Sequence, residues 1–170
     1  MLSVYANRGC ALEDLVEAVF EANPNSKVFR QNNRWVPLRS GKGGAFPSRG
    51  APVDFVGCIE GVPVAIECKE TSSPRLPLTE SRFPEKEKVA LVEFERAGGR
   101  SFIVAAFWRE NALAVFKLET FLRALEHKKS VKYDDADAVI SLDFALELPV
   151  RIAALTRKRR GRREKTKKRC

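Results

Sequence analysis

PVDFVGCIEGVPVAIECKET, residues 52–71, reads as two short strands joined at Glu60-Gly61, rich in Val and Ile and bounded by turn residues. If Glu60 and Gly61 form a two-residue hairpin loop, paired positions carry numbers that sum to 121, and Asp54 lies across from Glu67. Side chains alternate between the faces of a strand, so Lys69 shares the face of Glu67. The opposite face collects Val53, Phe55, Ile59, Val62, Val64, Ile66 and Cys68, a nearly unbroken apolar surface. The expectation is a hairpin with one side built into a core and the other presenting two carboxylates and an amine.

Directly opposed residues on antiparallel strands have Cβ atoms about 4.5–5.5 Å apart, where like charges repel. Two carboxylates coexist at that spacing if one is protonated or if a cation lies between them. A hard divalent ion such as Mg²⁺ takes oxygen ligands, commonly one or two carboxylates, and keeps several waters for chemistry. Lys69 beside it can stabilise negative charge on a phosphate or position an attacking water. The pattern points to metal-dependent phosphodiester hydrolysis. The competing reading is a surface hairpin whose Glu67-x-Lys69 is a solvated charge pair.

Asp54 followed after twelve residues by Glu67-Cys68-Lys69 resembles the PD-(D/E)xK nuclease signature. Asn7-Arg8-Gly9 with Glu13-Asp14, then Val53-Asp54-Phe55-x-Gly57 and Glu67-x-Lys69-Glu70-Thr71, resembles the RecU-type Holliday junction resolvases over roughly residues 5–108. That resemblance implies a restriction-endonuclease-like α/β fold, a mixed sheet flanked by helices. It also implies a homodimer, Mg²⁺ or Mn²⁺ as cofactor, and symmetric nicking of four-way DNA junctions. Carried over, Asp54 and Glu67 are the metal carboxylates, joined by Glu13 from a helix and by the backbone carbonyl of Cys68. Lys69 is the catalytic lysine, and Arg8 in the opening motif is a DNA contact. The family often carries a His-Gln pair in the helix after the lysine. The corresponding stretch here, Pro84-Glu85-Lys86-Glu87-Lys88, has neither.

The 170 residues suffice for one domain with a real core, and 44% of them are apolar. The net charge of +9 is unevenly placed: residues 157–169 hold ten Lys/Arg and one Glu, leaving 21 basic and 21 acidic residues elsewhere. A balanced body with a polycationic tail suits a nucleic-acid partner. No apolar run reaches the ~18 residues that a membrane span needs. The N-terminal residues lack the basic and apolar regions of a secretory signal, so the expected compartment is the cytoplasm, at the nucleoid. Cys10, Cys58, Cys68 and Cys170 show no C-x-x-C spacing and His127 stands alone, so no zinc set is expected. Cys58 and Cys68 fall on opposite faces of the hairpin, which argues against their bridging, and all four cysteines are read as reduced thiols.

Along the chain, Leu12, Leu15, Val16, Val19 and Phe20 form one helical stripe within residues 9–22, with Glu13 at its edge. Asn23-Pro24-Asn25 ends that helix, and residues 27–30 make a short strand. Residues 31–50 read as irregular. Arg34, Arg39, Lys42 and Arg49 are interleaved there with Trp35 and Phe46, a composition suited to phosphate contact and base stacking. The segment is either a connecting hairpin or a short version of the junction-entering stalk that the resemblance implies. Residues 71–83 form a loop leading to a helix with Pro84 at its first position. Ala90, Leu91, Phe94 and Ala97 supply its buried face, and Gly98-Gly99 stop it. Residues 101–108 read as a strand covered on both faces, 112–118 as another strand and 119–129 as a helix. Asp134, Asp135 and Asp137 read as a solvated turn, and residues 150–155 as the start of a last helix running into the tail.

The domain expectation is a nuclease domain over residues 1–156, with 31–50 as a basic or stalk-like insertion, and a disordered basic tail over 157–170. Arg157, Lys158, Arg159, Arg160, Arg162 and Arg163 are its expected DNA contacts. Two other readings stay open: a repair or restriction nuclease acting on other DNA, and a non-catalytic DNA-binding protein of the same fold. Polycation binding follows counterion release, with log K falling by about 0.9 per phosphate contact against log salt. Deletion of residues 157–170 is therefore expected to flatten the salt slope by several units and to weaken all DNA structures alike. A titration of wild-type and truncated protein between low and moderate salt checks it, and an unchanged slope would reduce the tail to a solubility element.

Overall fold

The structure is a computed structural model and describes residues 11–31, 35–37, 45–47 and 51–157. The stripe Leu12, Val16, Val19, Phe20 folds as α1, Ala11–Glu21, with all four side chains buried. The chain turns at Asn23 and enters β1, Ser26–Arg30. Within the segment read as irregular, two short strands, β2 (Trp35–Pro37) and β3 (Ala45–Pro47), pair antiparallel with Val36 opposite Phe46. Three residues per strand, set among glycines and basic residues, are too few to show a period-two pattern in sequence.

The hairpin formed by β4, Phe55–Ile59, and β5, Val62–Thr71, has the expected register, from Phe55 opposite Ile66 to Ile59 opposite Val62. Glu60 and Gly61 have φ of 47° and 82°, the left-handed pair that a two-residue loop needs to match strand twist. Two expectations about the hairpin are corrected. Asp54 sits in a bend one residue before the paired strand, and this bend carries Val53 away from Phe55 into the core on the other side of the sheet. The face carrying Glu67 is also not open to water: Ala65 on that face is fully buried.

After β5 come a two-residue strand β6 (Leu76–Pro77) and α2, Glu85–Arg96. Pro84 is the residue preceding α2 rather than its first helical residue, with ψ of 151°. Gly98 and Gly99 close α2 by donating to the carbonyls of Glu95 and Phe94, and Gly98 has φ of 101°. Of the expected buried face, Leu91 is buried, whereas Ala97 lies exposed at the helix end. Next come β7 (Arg100–Phe107), β8 (Ala112–Lys117), α3 (Leu118–His127), β9 (Ser130–Val131) and β10 (Ala138–Ser141). The final helix α4, Leu148–Thr156, does not continue into the tail. Thr156 Oγ1 donates to the carbonyl of Ala153, and Arg157 is extended with its guanidinium 2.9 Å from Glu60.

The central sheet has the order β1-β4-β5-β7-β8-β10, with β5 and β7 parallel and its other pairs antiparallel. Parallel neighbours need a crossover, and α2 supplies it. One core packs the sheet against α1 and α4 through Leu12, Phe20, Phe55, Ile66, Val104, Leu148 and Ile152. The other packs the opposite face against α2 and α3, with Phe121 contacting both Phe83 and Phe116. The mixed, helix-flanked sheet is the architecture expected from the sequence.

Gly57 of β4 stands opposite Val28 of β1. A Cβ there would stand 2.1 Å from the Lys27 carbonyl oxygen and 2.5 Å from Val28 Cα, both backbone atoms. Gly57→Val is expected to destabilise the fold by about 3 kcal/mol, at the upper end of ordinary overpacking. Urea unfolding measures this, and an unchanged midpoint would show that β1 can move aside freely.

Candidate active site

Asp54, at the end of the β4 ladder, is pinned to β5: its Oδ2 accepts the backbone N–H of Cys68 at 2.8 Å. Glu67 and Lys69 project from β5 on the side covered by α2. Glu67 is 3% exposed, and its Oε1 accepts from Lys69 Nζ at 2.7 Å. The three residues that the sequence places on one face do converge.

A fourth residue was not anticipated. Glu87, in the first turn of α2, lies with its Oε2 2.9 Å from Lys69 Nζ, so the ammonium bridges two carboxylates. The Phe83 ring centroid lies 5.2 Å from the same nitrogen. In the sequence Glu87 looks like one more acid favouring a helix N-terminus. The available signal is its position, in the short helix start after the lysine where the His-Gln pair is missing.

Glu13 lies on α1, and its Oε2 accepts from Arg30 Nε at 2.9 Å and also from Nη2. Arg30, another residue the sequence reading passed over, also reaches Asp14 at 2.6 Å. Glu13 is close enough to raise the pKa of Asp54 by its charge, and no hydrogen bond joins the two among the described residues. The Cys68 side chain packs against the α1 core, away from the acids, and its backbone N–H is the group engaged with Asp54. Arg8, Arg34, Arg39, Lys42, Arg49, the Trp35 side chain, and Lys158, Arg159, Arg160, Arg162 and Arg163 lie outside the described residues.

Burial governs the electrostatics. It raises Asp54 above the usual carboxylate range, against the opposing Cys68 N–H, with further upward pressure from Glu13 and relief from Lys69. Glu67 is pushed up to about 8, first by burial and then by the charge of Asp54, and Lys69 only partly offsets this. Burial works against the Lys69 charge, but Glu67 and Glu87 more than compensate and keep it an ammonium. A buried site with too much negative charge for its one ammonium suits an added cation. Asp54 Oδ1 and Glu67 Oε2 take no hydrogen bond among the described residues, so one oxygen of each is available to a ligand. No cluster of three His, Cys, Asp or Glu able to hold an ion occurs among the described residues. The free oxygens of Asp54 and Glu67 are the donor type that a hard divalent ion takes, with water filling its other positions.

The raised pKa has a consequence for stability. Between the ordinary Glu value of 4.5 and about 8, the native chain holds the Glu67 proton more tightly than the unfolded chain does. Its contribution is complete at low pH and is lost as pH rises through that window, opposite in sign to ordinary acid denaturation. Glu67→Gln is expected to remove this decline and, in EDTA at pH 8, to melt no lower than the parent. A pH series of thermal melts tests it, and a parent-like decline in the variant would place the buried proton on another group.

None of the curated proteins matches the chain. Among solved structures, the Holliday junction resolvase Hjc of the archaeal hyperthermophile Archaeoglobus fulgidus matches at 20% identity and a TM-score of 0.48. That alignment covers 79% of this chain and 96% of the other. The family model described as Recombination protein U matches residues 7–154, a span holding α1, the whole central sheet and the Asp54–Glu67–Lys69 cluster. The chain belongs to the RecU, or Recombination protein U, family.

Proposed function

We propose that the chain is a structure-selective DNA endonuclease that resolves Holliday junctions by paired symmetric nicks, with Mg²⁺ or Mn²⁺ as cofactor. The observation that carries this reading is the buried convergence of Asp54, Glu67 and Lys69 in a chain of the Recombination protein U family. Asp54 and Glu67 present the free carboxylate oxygens that would hold the ion, with the Cys68 carbonyl completing the set and Glu13 acting through water. When bound, a divalent ion supplies Lewis acidity that activates water and stabilises charge on the phosphate.

The chain's own groups do the remaining work. Lys69 offers its ammonium to the scissile phosphate or to the attacking water, where charge develops in the transition state. Glu87 is the positioning residue that holds Lys69 from α2. Phe83 covers the ammonium and keeps bulk water from that side.

A single centre cuts one strand, so resolving a junction calls for two centres in opposition. A C₂ homodimer supplies them. Residues 31–50 and the basic tail complete the DNA contacts, the first at the junction opening and the second without regard to structure. No helix among the described residues is long and apolar enough to cross a membrane. Action at the nucleoid, in the cytoplasm, is part of this proposal.

Asp54→Asn and Lys69→Ala are expected to abolish nicking in Mg²⁺ while leaving junction binding within a few-fold. Glu87→Gln keeps the size of the side chain but weakens its hold on Lys69, and should lower cleavage about 10–100-fold, as outer-shell substitutions do. Strand-resolved cleavage of a mobile four-way junction and of linear duplex, with sedimentation of the protein, decides the reading. Paired nicks placed symmetrically about the branch point by a dimer are the expected result. A monomer cutting duplex equally well would leave only a nuclease, and metal-independent inertness would leave only a DNA-binding protein.

A further inference from the structure

We infer that a basic hollow at the C-terminal end of β5, formed by Arg75, Lys128, Lys129 and Lys132, binds the sugar-phosphate backbone of the DNA leaving the active site. The inference rests on the DNA substrate of the proposed function and adds a contact surface to those proposed for residues 31–50 and the tail. The hollow is open to solvent, has a volume of about 590 Å³ and is also lined by Ser130, Asp134 and Asp135.

The cations stand on a fixed frame. Leu76 of β6 pairs with Val131 of β9, and both side chains are buried in the core beneath α3. This pairing clamps the segments carrying Arg75 and the three lysines side by side, and Leu78 N–H donates to the Lys129 carbonyl at 2.9 Å. Arg75 Nε donates to Ser130 Oγ at 2.7 Å, which orients the guanidinium and leaves its two terminal nitrogens without a protein acceptor among the described residues. A planar fork held in this way suits phosphate oxygens.

The acids in the hollow do not cancel it. Asp135 spends one oxygen on Lys128 at 2.6 Å and the other on the Lys132 N–H at 2.8 Å. These contacts lower its pKa, Lys128 first. Arg75, Lys129 and Lys132 have no carboxylate within 4.0 Å among the described residues. The lining holds four basic and two acidic side chains, a local excess of positive charge in a body whose charges balance as a whole.

Position links the hollow to the chemistry. Thr71, two residues after Lys69 on β5, donates its hydroxyl to the Arg75 carbonyl at 3.4 Å. Between the two, Arg82 Nη1 donates to the Glu70 carbonyl at 3.0 Å. Thr71 and Glu70, the two residues after Lys69 on β5, are thus tied to Arg75 and Arg82, which sets the hollow's arginine near the lysine's end of the strand. Phosphate contacts of this kind fix the register of a duplex on a protein without reading its sequence.

The test reverses charge at the two exposed lysines, Lys129→Glu with Lys132→Glu, in the full chain. A control of equal net charge is Lys27→Glu with Arg96→Glu, at the Glu60-Gly61 end of the sheet. Binding of a four-way junction in Ca²⁺ is titrated against salt, and thermal melting confirms folding. The expected result is an affinity loss of at least about 10-fold and a salt slope smaller by about two units than that of the parent or the control, at about 0.9 per contact. An unchanged slope, or a loss equal to the control's, overturns the hollow. If the parent binds junctions but never nicks them, a reduced slope still upholds the hollow while the resolvase reading falls. If the parent nicks junctions and the slope holds, the reverse is true.

Discussion

The ammonium of Lys69 stands 2.7 Å from Glu67 and 2.9 Å from Glu87, under the ring of Phe83 and on a strand buried from both sides. Removing charged groups from water is costly, and two carboxylates near each other make it more so. Asp54 and Glu67 persist there because the protein surrounds them with partial compensation: a backbone N–H on Asp54 and a shared ammonium on Glu67. The compensation is incomplete, since both acids remain raised above their ordinary values. That residual cost favours a bound cation. Functional sites commonly give up stability in this way.

The parallel pairing of β5 with β7 decides what can stand beside Lys69. A parallel neighbour cannot follow through a tight turn, so the chain must leave the sheet, cross a face and return. α2 makes that crossing and starts close to where β5 ends. Its first turn therefore arrives over the acid face with Glu87 on it, and the loop before it places Phe83 over the ammonium and against α3. The same loop carries Arg75 and Arg82. One topological requirement thus gathers the lysine's second partner, the cover of the site and two arginines tied to the end of β5.

Charge is distributed to match. The tail carries the net charge of the chain, whereas the body is balanced and places its cations locally. On α1 and β1, Arg30 is absorbed by Glu13, Asp14 and Glu17. Around β6 and β9, three cations stay unmatched by carboxylates among the described residues. Cations gathered in one hollow make a local positive field, and such a field suits an anionic partner.

Much of this was legible in one stretch of sequence. A two-residue loop at Glu60-Gly61 sets the pairing of β4 with β5, because a period of two leaves no freedom once the turn is placed, and from that register Asp54, Glu67 and Lys69 meet. The helical stripe of α1 and the doubly buried run of β7 were equally plain, since each is a local pattern of apolar spacing. What lay outside the pattern were contacts made across long separations. Val53 leaves its predicted face because a bend, not the strand period, governs it. Glu87 and Arg30 look like ordinary surface charges until the crossover and the sheet order bring them to Lys69 and Glu13, 18 and 17 residues away. The β6–β9 clamp joins residues 55 apart, as the Arg75–Ser130 bond shows. Local periodicity determined which residues could share a face. Tertiary packing alone decided which charges would lose their water together, and so which of them needed a partner.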